Sequence, residues 1–526
     1  MRSLRNIDVN ASVAVVGFGF AGLCLGMQLK RAGFDRFTIF EKGPTLGGTW
    51  RDNRYPGAAC DIPSRLYSFS FESDEDWSRK WAPQREILAY MQRCAKKYDL
   101  LRHVCFGVEI AGARFDATAG LWQLETTAGE PFAARVLVTA VGQLARPAVP
   151  AIEGLDLFRG RSFHSAGWPE GETLEGKRVA VVGNAASAVQ LVPEIARRAE
   201  RLYVLQRSPN WVLPKPNREY TGMERRIFQW APSVARIERW WTWGLCEARF
   251  LGIKGNPIAS AIARHIAKRH LEQQVADPAL RRQLTPDYPI GAKRILLTSD
   301  YYPALQRPNV RLVTDPIGRA EQGGLVTAAG ERIDLDTIVF ATGFKSTEFL
   351  APMRIEGPTG VTLDEAWRDG PEAYLGLSVA GFPNLFVTYG PNTNLGHNSI
   401  LFMLECQTRY IVDCLGAMVA QDLASIDVLP EVQAAYNVEI QAALAQTAWA
   451  QVEKSWYKNE RGRIVNNWPY TTARYFLRTR RVDLGLYRCV PRPAGEVAVR
   501  ATGGPDKGSG GKTSPKPSRM ASASRT

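Results

Sequence analysis

An α/β fold of two dinucleotide-binding, Rossmann-like domains, the second interrupted by a helical insertion, follows from three features of the 526-residue sequence. A glycine turn, Gly17-Phe-Gly19-Phe-Ala-Gly22, separates an apolar run at 13–16 from a helical one at 23–32. A second turn, Gly183-Asn-Ala-Ala-Ser-Ala188, stands in the same way between runs at 178–182 and 189–198. Over 218–285 the apolar spacing changes to long helical periodicity. The length agrees, because single cores stop growing near about 250–300 residues.

The composition, 45% hydrophobic and 22% charged, is that of an ordinary globular protein. Eight cysteines (Cys24, Cys60, Cys94, Cys105, Cys246, Cys406, Cys414 and Cys489) include no C-x-x-C pair. They read as reduced, mostly buried thiols of a cytoplasmic protein, and no metal is expected. Four glycines break the run at 9–29 that follows Arg2 and Arg5, so it reads as strand, turn and helix rather than a leader. No stretch has the roughly 18 uninterrupted apolar residues that a transmembrane helix needs. The net charge of +14 is uneven: residues 215–294 hold 15 Lys+Arg against 7 Asp+Glu, and residues 490–526 hold 7 against 2. A phosphorylated cofactor or an acidic surface suits that charge, and no nucleic-acid partner is expected without an aromatic-and-basic signature.

In the first turn, Gly17 permits the tight bend, Gly19 lets backbone approach a pyrophosphate, and Gly22 lets helix and strand pack closely. The helix N-terminus beyond it favours negative charge. Glu41, at the end of the next apolar strand and 19 residues past Gly22, is the acid expected to bond ribose hydroxyls.

Two further segments carry more specific patterns. Residues 47–61, GGTWRDNRYPGAACD, place Gly47, Gly48, Trp50, Tyr55, Pro56, Gly57 and Asp61 in the order [A/G]-G-x-W-x-x-x-x-[F/Y]-P-[G/M]-x-x-x-D. They offer glycines for close approach to an isoalloxazine and one carboxylate at the end of a rigid loop. Residues 158–169, FRGRSFHSAGWP, set Phe158, Gly160, His164, Trp168 and Pro169 as F-x-G-x-x-x-H-x-x-x-W-P without a gap. Both segments resemble the fingerprints of Baeyer–Villiger monooxygenases, the class B flavin monooxygenases that use FAD and NADPH. The resemblance covers roughly residues 11–488.

That resemblance implies FAD at the first site, held by Gly17, Gly19, Gly22, Glu41, Gly48, Thr49, Trp50, Asp61 and Tyr67. NADPH falls at the second, with Gly183, Asn184, Ser187 and Ala188 at the turn. Relatives usually keep glycine where Ala185 and Ala188 stand, so the added methyls should weaken the dinucleotide or push it outward. After the strand at 202–205 the chain reads Gln206-Arg207-Ser208 instead of an acid, which suits the 2′-phosphate of NADP.

The insertion shows Ile227, Trp230, Val234, Ile237 and Trp241 at spacings of three and four, a stripe that reads as core. Pro232 must begin a new helix or kink this one. Trp240, Trp241 and Trp243 cannot share one face, which leaves a tunnel, a partner or a membrane surface open for some of them. Residues 291–310 resemble the family segment that brings Arg294 to the flavin and Lys293 to the cofactor phosphate. Residues 336–343 end in A-T-G, read as the return to the first domain. Residues 381–399 resemble the flavin cover, with Pro391 and Asn392 near the ring, and Trp456 matches a residue beside cofactor and substrate.

The expected domains are a first FAD part at 1–145, an NADPH domain at 146–335 with its insertion at 218–285, a second FAD part at 336–489, and a disordered basic tail at 490–526. The expected activity is insertion of one oxygen atom of O2 beside a ketone carbonyl, giving an ester or lactone through a flavin peroxide. Arg294 and Asp61 are the catalytic candidates. The alternatives are an N- or S-oxygenating flavin monooxygenase and a cofactor-binding flavoprotein without turnover. A disulfide reductase is excluded for want of a cysteine pair.

Overall fold

The computed structural model describes residues 10–73 and 76–492. β1 (Asn10–Val16) passes through the first glycine turn into α1 (Phe20–Arg31), and β2 (Phe37–Glu41) returns parallel to β1 with Val13 opposite Phe37. β3 (Val104–Phe106) extends the sheet beyond β2. The antiparallel β4 (Ile110–Asp116) and β5 (Leu121–Thr126) lead to β6 (Pro131–Thr139), parallel to β1 on its other side. Strand alternation fills a core on each face: Val13 and Val15 join α1 in one, Ala14 and Val16 enter another.

β7 (Arg161–His164), β8 (Arg178–Val182) and β9 (Arg201–Leu205) belong to a second sheet of five parallel strands, ordered Val310–Val313, β9, β8, Thr337–Phe340, β7. Val179 and Val181 again face one core, Ala180 and Val182 another.

Thr337–Phe340 corrects the boundary drawn at 336. Ile338 pairs with Ala180 on one side and Ser162 on the other, so this run completes the second sheet. The return follows it, where two connectors run side by side: Ala148 N–H donates to Gly343 O and Lys345 N–H to Arg146 O. Leu385–Val387 then joins the first sheet, parallel to β6 with Phe386 opposite Val138.

The insertion is helical, as its periodicity predicts. Thr221 and Glu224 form a capping box on helix Gly222–Trp230, and Pro232 opens a separate helix, Pro232–Ile253. Helices Pro257–Gln274 and Pro278–Leu284 follow, capped by Asn256 and Asp277. The expected core stripe is instead exposed: Trp230 shows 84%, Ile237 67% and Trp241 69% of its surface. The inward side of Pro232–Ile253 is held by polar anchors with distant partners. Arg239 donates to Arg65 O (2.6 Å) and Ser68 O (2.9 Å), and Glu238 pairs with Arg65 at 3.0 Å. Thr472 Oγ1 donates to Glu247 (2.8 Å) and accepts from Trp243 Nε1 (3.0 Å).

Strand Tyr487–Pro491 pairs antiparallel with Leu423–Val428, so the segment drawn as a tail from 490 begins within a strand. The rest of that expected tail, 493–526, lies outside the described residues.

Candidate active site

Each glycine of the first turn answers a separate steric demand. Gly17 has φ +105°, and a Cβ there would sit 2.6 Å from Ala140 O, just beyond β6. At Gly22 a Cβ would lie 2.0 Å from Gly17 O, so α1 starts close beneath the turn. A Cβ on Gly48 would come within 3.1 Å of Gly19 Cα, which means that turn and loop face each other as bare backbone. Glu41 ends β2 beside them. Its carboxylate accepts from Phe18 N–H (2.8 Å) and Gly43 N–H (2.7 Å) and pairs with Arg51 (2.6 Å). Arg51 is a partner that the motif spacing did not announce. Thr49 and Trp50 begin a single helical turn after Gly48, and Trp50 Nε1 donates to Tyr67 Oη at 3.1 Å.

The second turn repeats the first: Gly183 has φ +108°, and a Cβ there would meet Ala341 O at 2.5 Å. Ser187 precedes helix Ala188–Ala196, whose first residue is fully buried, while Ala185 is exposed on the turn. Asn184 Nδ2 donates to Gln206 Oε1 (2.9 Å) and Ser208 O (2.8 Å), tying the turn to the end of β9. There Lys293 Nζ stands 3.3 Å from Ser208 Oγ and 4.4 Å from the centre of the Tyr288 ring. Burial, and then the Arg207 charge, lowers the pKa of Lys293. Among the described residues no carboxylate forms an ion pair with Arg207 or Lys293, although Asp287 lies within electrostatic reach of Lys293.

Asp61 closes the 47–61 loop, and Arg294 Nη2 donates to its Oδ2. Burial opposes ionisation of Asp61, but Arg294, with Lys215 beyond it, holds the carboxyl below its usual range. The carboxylate in turn raises Arg294 against the effect of burial. The side chains keep 29% and 33% of their surface open. Lys215, which sequence reading missed, donates to Cys60 O at 2.8 Å and sets a second cation behind the loop.

The loop is braced from helix Ala188–Ala196 of the second domain. Gln190 accepts from Tyr55 Oη (2.9 Å) and donates to Ala59 O (2.9 Å), and Gly57, at φ +83°, has room for no Cβ because Gln190 O would lie 2.5 Å away. Trp168 shares a core with Tyr55 and Ala58, so the two fingerprint segments meet. His164 is turned to the seam: its Nδ1 accepts from Ala166 N–H (3.1 Å), and its ring meets Phe344 edge-on at 5.4 Å.

Tyr389 and Tyr457 lie within electrostatic reach of Arg294, and burial pushes the Tyr457 phenol up to about 12. Asn392, at φ +55°, donates to Ile464 O (3.0 Å) and Asn467 O (3.2 Å), which with the buried Pro391 fastens this segment to 464–467. Trp456 packs on Tyr457 with ring centres 4.6 Å apart, and its carbonyl accepts from Ser346 Oγ (2.8 Å) and Asn466 Nδ2 (3.0 Å). Through Tyr457, Trp456 reaches the Arg294 side of the cleft.

All eight cysteines are free, and seven of them are buried. The two glycine turns, each leading from a parallel strand into a helix, define a protein with two dinucleotide-binding domains. A flavin-binding monooxygenase-like family model matches residues 10–223. A Baeyer–Villiger monooxygenase of Pseudomonas aeruginosa is 41% identical over 94% of each chain. One of Streptomyces coelicolor is 40% identical over 98% of this chain and 100% of its own. The solved structure of an oxidised steroid monooxygenase bound to NADP superposes with a TM-score of 0.82 at 33% identity, covering 92% of this chain and 100% of that one. The chain belongs to the Baeyer–Villiger monooxygenases, and the activity expected from its fingerprints, an FAD- and NADPH-dependent insertion of oxygen from O2, stands.

Proposed function

We propose that this chain converts a ketone to an ester or lactone in the cleft where Arg294 meets Asp61, and that Arg207, Ser208 and Lys293 select NADPH over NADH. The observation that carries the reading is the guanidinium–carboxylate pair, partly exposed and backed by Lys215. The bare backbone between Gly19 and Gly48 fits a flavin dinucleotide, since a side chain at either position would fill the approach. Gly17, Gly19, Gly22 and Gly48 would hold FAD there, and FAD reduced by NADPH would supply the activation of O2.

The protein's own groups divide the remaining work. Arg294 offers a preorganised charge to the negative charge that develops on the ketone oxygen, in a site where water is partly excluded. Asp61 orients that guanidinium and stays ionised beside it, so the charge is held in place as the reaction begins. Gln190 and Trp168 keep the Asp61 loop against the second domain. Trp456 and Tyr457 give the cleft an aromatic wall. The free thiols fit a reducing compartment, and we assign the protein to the cytoplasm.

Product analysis over a panel of ketones, sulfides and amines tests the reading. Ester or lactone formation supports it, and exclusive oxidation of sulfur or nitrogen replaces it with the related N- or S-oxygenating activity. The cofactor assignment has its own test. Arg207→Ala should raise the Michaelis constant for NADPH about ten-fold or more while leaving that for NADH nearly unchanged, because one charge-assisted contact to the 2′-phosphate is lost. An unaltered NADPH to NADH preference in that variant removes Arg207 from the site.

A further inference from the structure

We propose that the outward face of helix Pro232–Ile253, with its neighbour Pro257–Gln274, is a docking surface for an anionic lipid bilayer. At helical spacing Val234, Ile237, Trp241 and Leu245 form one continuous outer row, with Trp240 and Leu251 beside it, and all six are exposed. The next helix packs on this one and exposes Ile258, Ile262 and Ile266 at successive turns. Monomeric proteins rarely leave so many large apolar side chains open in register.

The charge around the face selects the partner. Arg236 and Arg249 flank the apolar row, and Lys254, Arg264 and Lys268 follow; all five are exposed, and none forms an ion pair with a carboxylate among the described residues. Of the acids on these helices, Glu224 is engaged with Arg218, Glu238 with Arg65 and Glu247 with Thr472, which leaves Glu272, near the end of Pro257–Gln274, as an exposed acid against the five cations. Exposed tryptophan and isoleucine bordered by unpaired cations is the chemistry of a helix lying in the headgroup region of an anionic membrane. A second copy fits less well, because a two-fold pairing would bring the five cations of each copy together with Glu272 alone on these two helices to answer them. The helix lies on the bilayer and does not cross it, since no helix among the described residues is long and apolar enough to span a membrane. Cys246, on the inward side of the same helix, is within electrostatic reach of Asp61, so docking would set the catalytic cleft behind the lipid-facing surface.

The test is co-sedimentation of the full-length, FAD-loaded protein with vesicles of phosphatidylcholine alone and of phosphatidylcholine mixed with phosphatidylglycerol. Binding should favour the anionic vesicles and weaken with salt. Ile237→Ser/Trp241→Ser removes two side chains that are about two-thirds exposed and spares Trp240, whose ring packs edge-on against Trp243, so flavin content and melting temperature should hold while partitioning falls about ten-fold or more. Arg236→Gln/Arg249→Gln should reduce the preference for anionic lipid. The proposal is overturned if the wild type ignores anionic vesicles. It is equally overturned if the Ile237/Trp241 variant binds like the wild type, which would assign binding to charge elsewhere, such as the basic carboxy-terminal residues. A dimer in solution that the Ile237/Trp241 variant splits, without vesicle binding, assigns the face to a second copy instead.

Discussion

Arg294→Ala should lower ester formation by a factor on the order of 100 to 1,000 while NADPH consumption continues, with oxygen released as hydrogen peroxide. The guanidinium is held by Asp61 before any substrate enters, so its charge costs little reorganisation when negative charge grows on the ketone oxygen. The variant also leaves Asp61 with Lys215 as its remaining nearby cation, and its carboxyl should titrate at higher pH than in the native protein. Arg294→Lys should not rescue ester formation, because a flexible point charge cannot reproduce the planar fork that meets the carboxylate. The measurement is ester and peroxide per NADPH in both variants with one accepted ketone, at matched flavin content. Near-normal ester yield from Arg294→Ala would move the oxygenation step to another residue.

Gly22→Ala should abolish recovery of folded, flavin-bearing protein. The new Cβ would lie 2.0 Å from the Gly17 carbonyl oxygen, and backbone there cannot move without disturbing a turn already pressed on Ala140. Overpacking commonly costs about 1–3 kcal/mol, and an obstacle of backbone rather than side chain puts this position at or above that range. Gly19→Ala is the informative companion. Its Cβ would have 3.8 Å to the nearest protein atom, Gly48 Cα, so the chain should fold and melt normally but bind FAD weakly because the methyl enters the dinucleotide approach. Flavin per protein and melting temperature measured on both variants separate a folding role from a binding role. Full flavin content in Gly19→Ala would show that the first site is not a pyrophosphate cradle.

What was legible in the sequence is what local chemistry determines. The tight turns at Gly17 and Gly183 and the buried strands at 13–16 and 178–182 depend on neighbouring residues and took the form expected, and at Pro232 the structure has the new helix, one of the two outcomes left open. Pairing partners were less legible. Thr337–Phe340 carries the apolar pattern of any buried strand, and only its hydrogen bonds to β7 and β8 place it in the second sheet. The tryptophan stripe failed for a related reason: periodicity states which residues share a helix face, while the inward direction is set here by Arg239, Glu238 and Glu247, whose partners lie about 170 to 225 residues away. Resemblance singled out Arg294 and Asp61 but not their contact, and Lys215, Gln190 and Arg51 likewise reach their places through contacts that no motif records.

The most direct measurement of the central claim is product analysis with isotopically labelled O2, NADPH and a ketone, on wild-type protein and Arg294→Ala. The predicted result is an ester or lactone that carries one labelled oxygen atom in the wild type, and in the variant hydrogen peroxide with little ester. Unlabelled product, or labelled ester at the wild-type level from the variant, would contradict it.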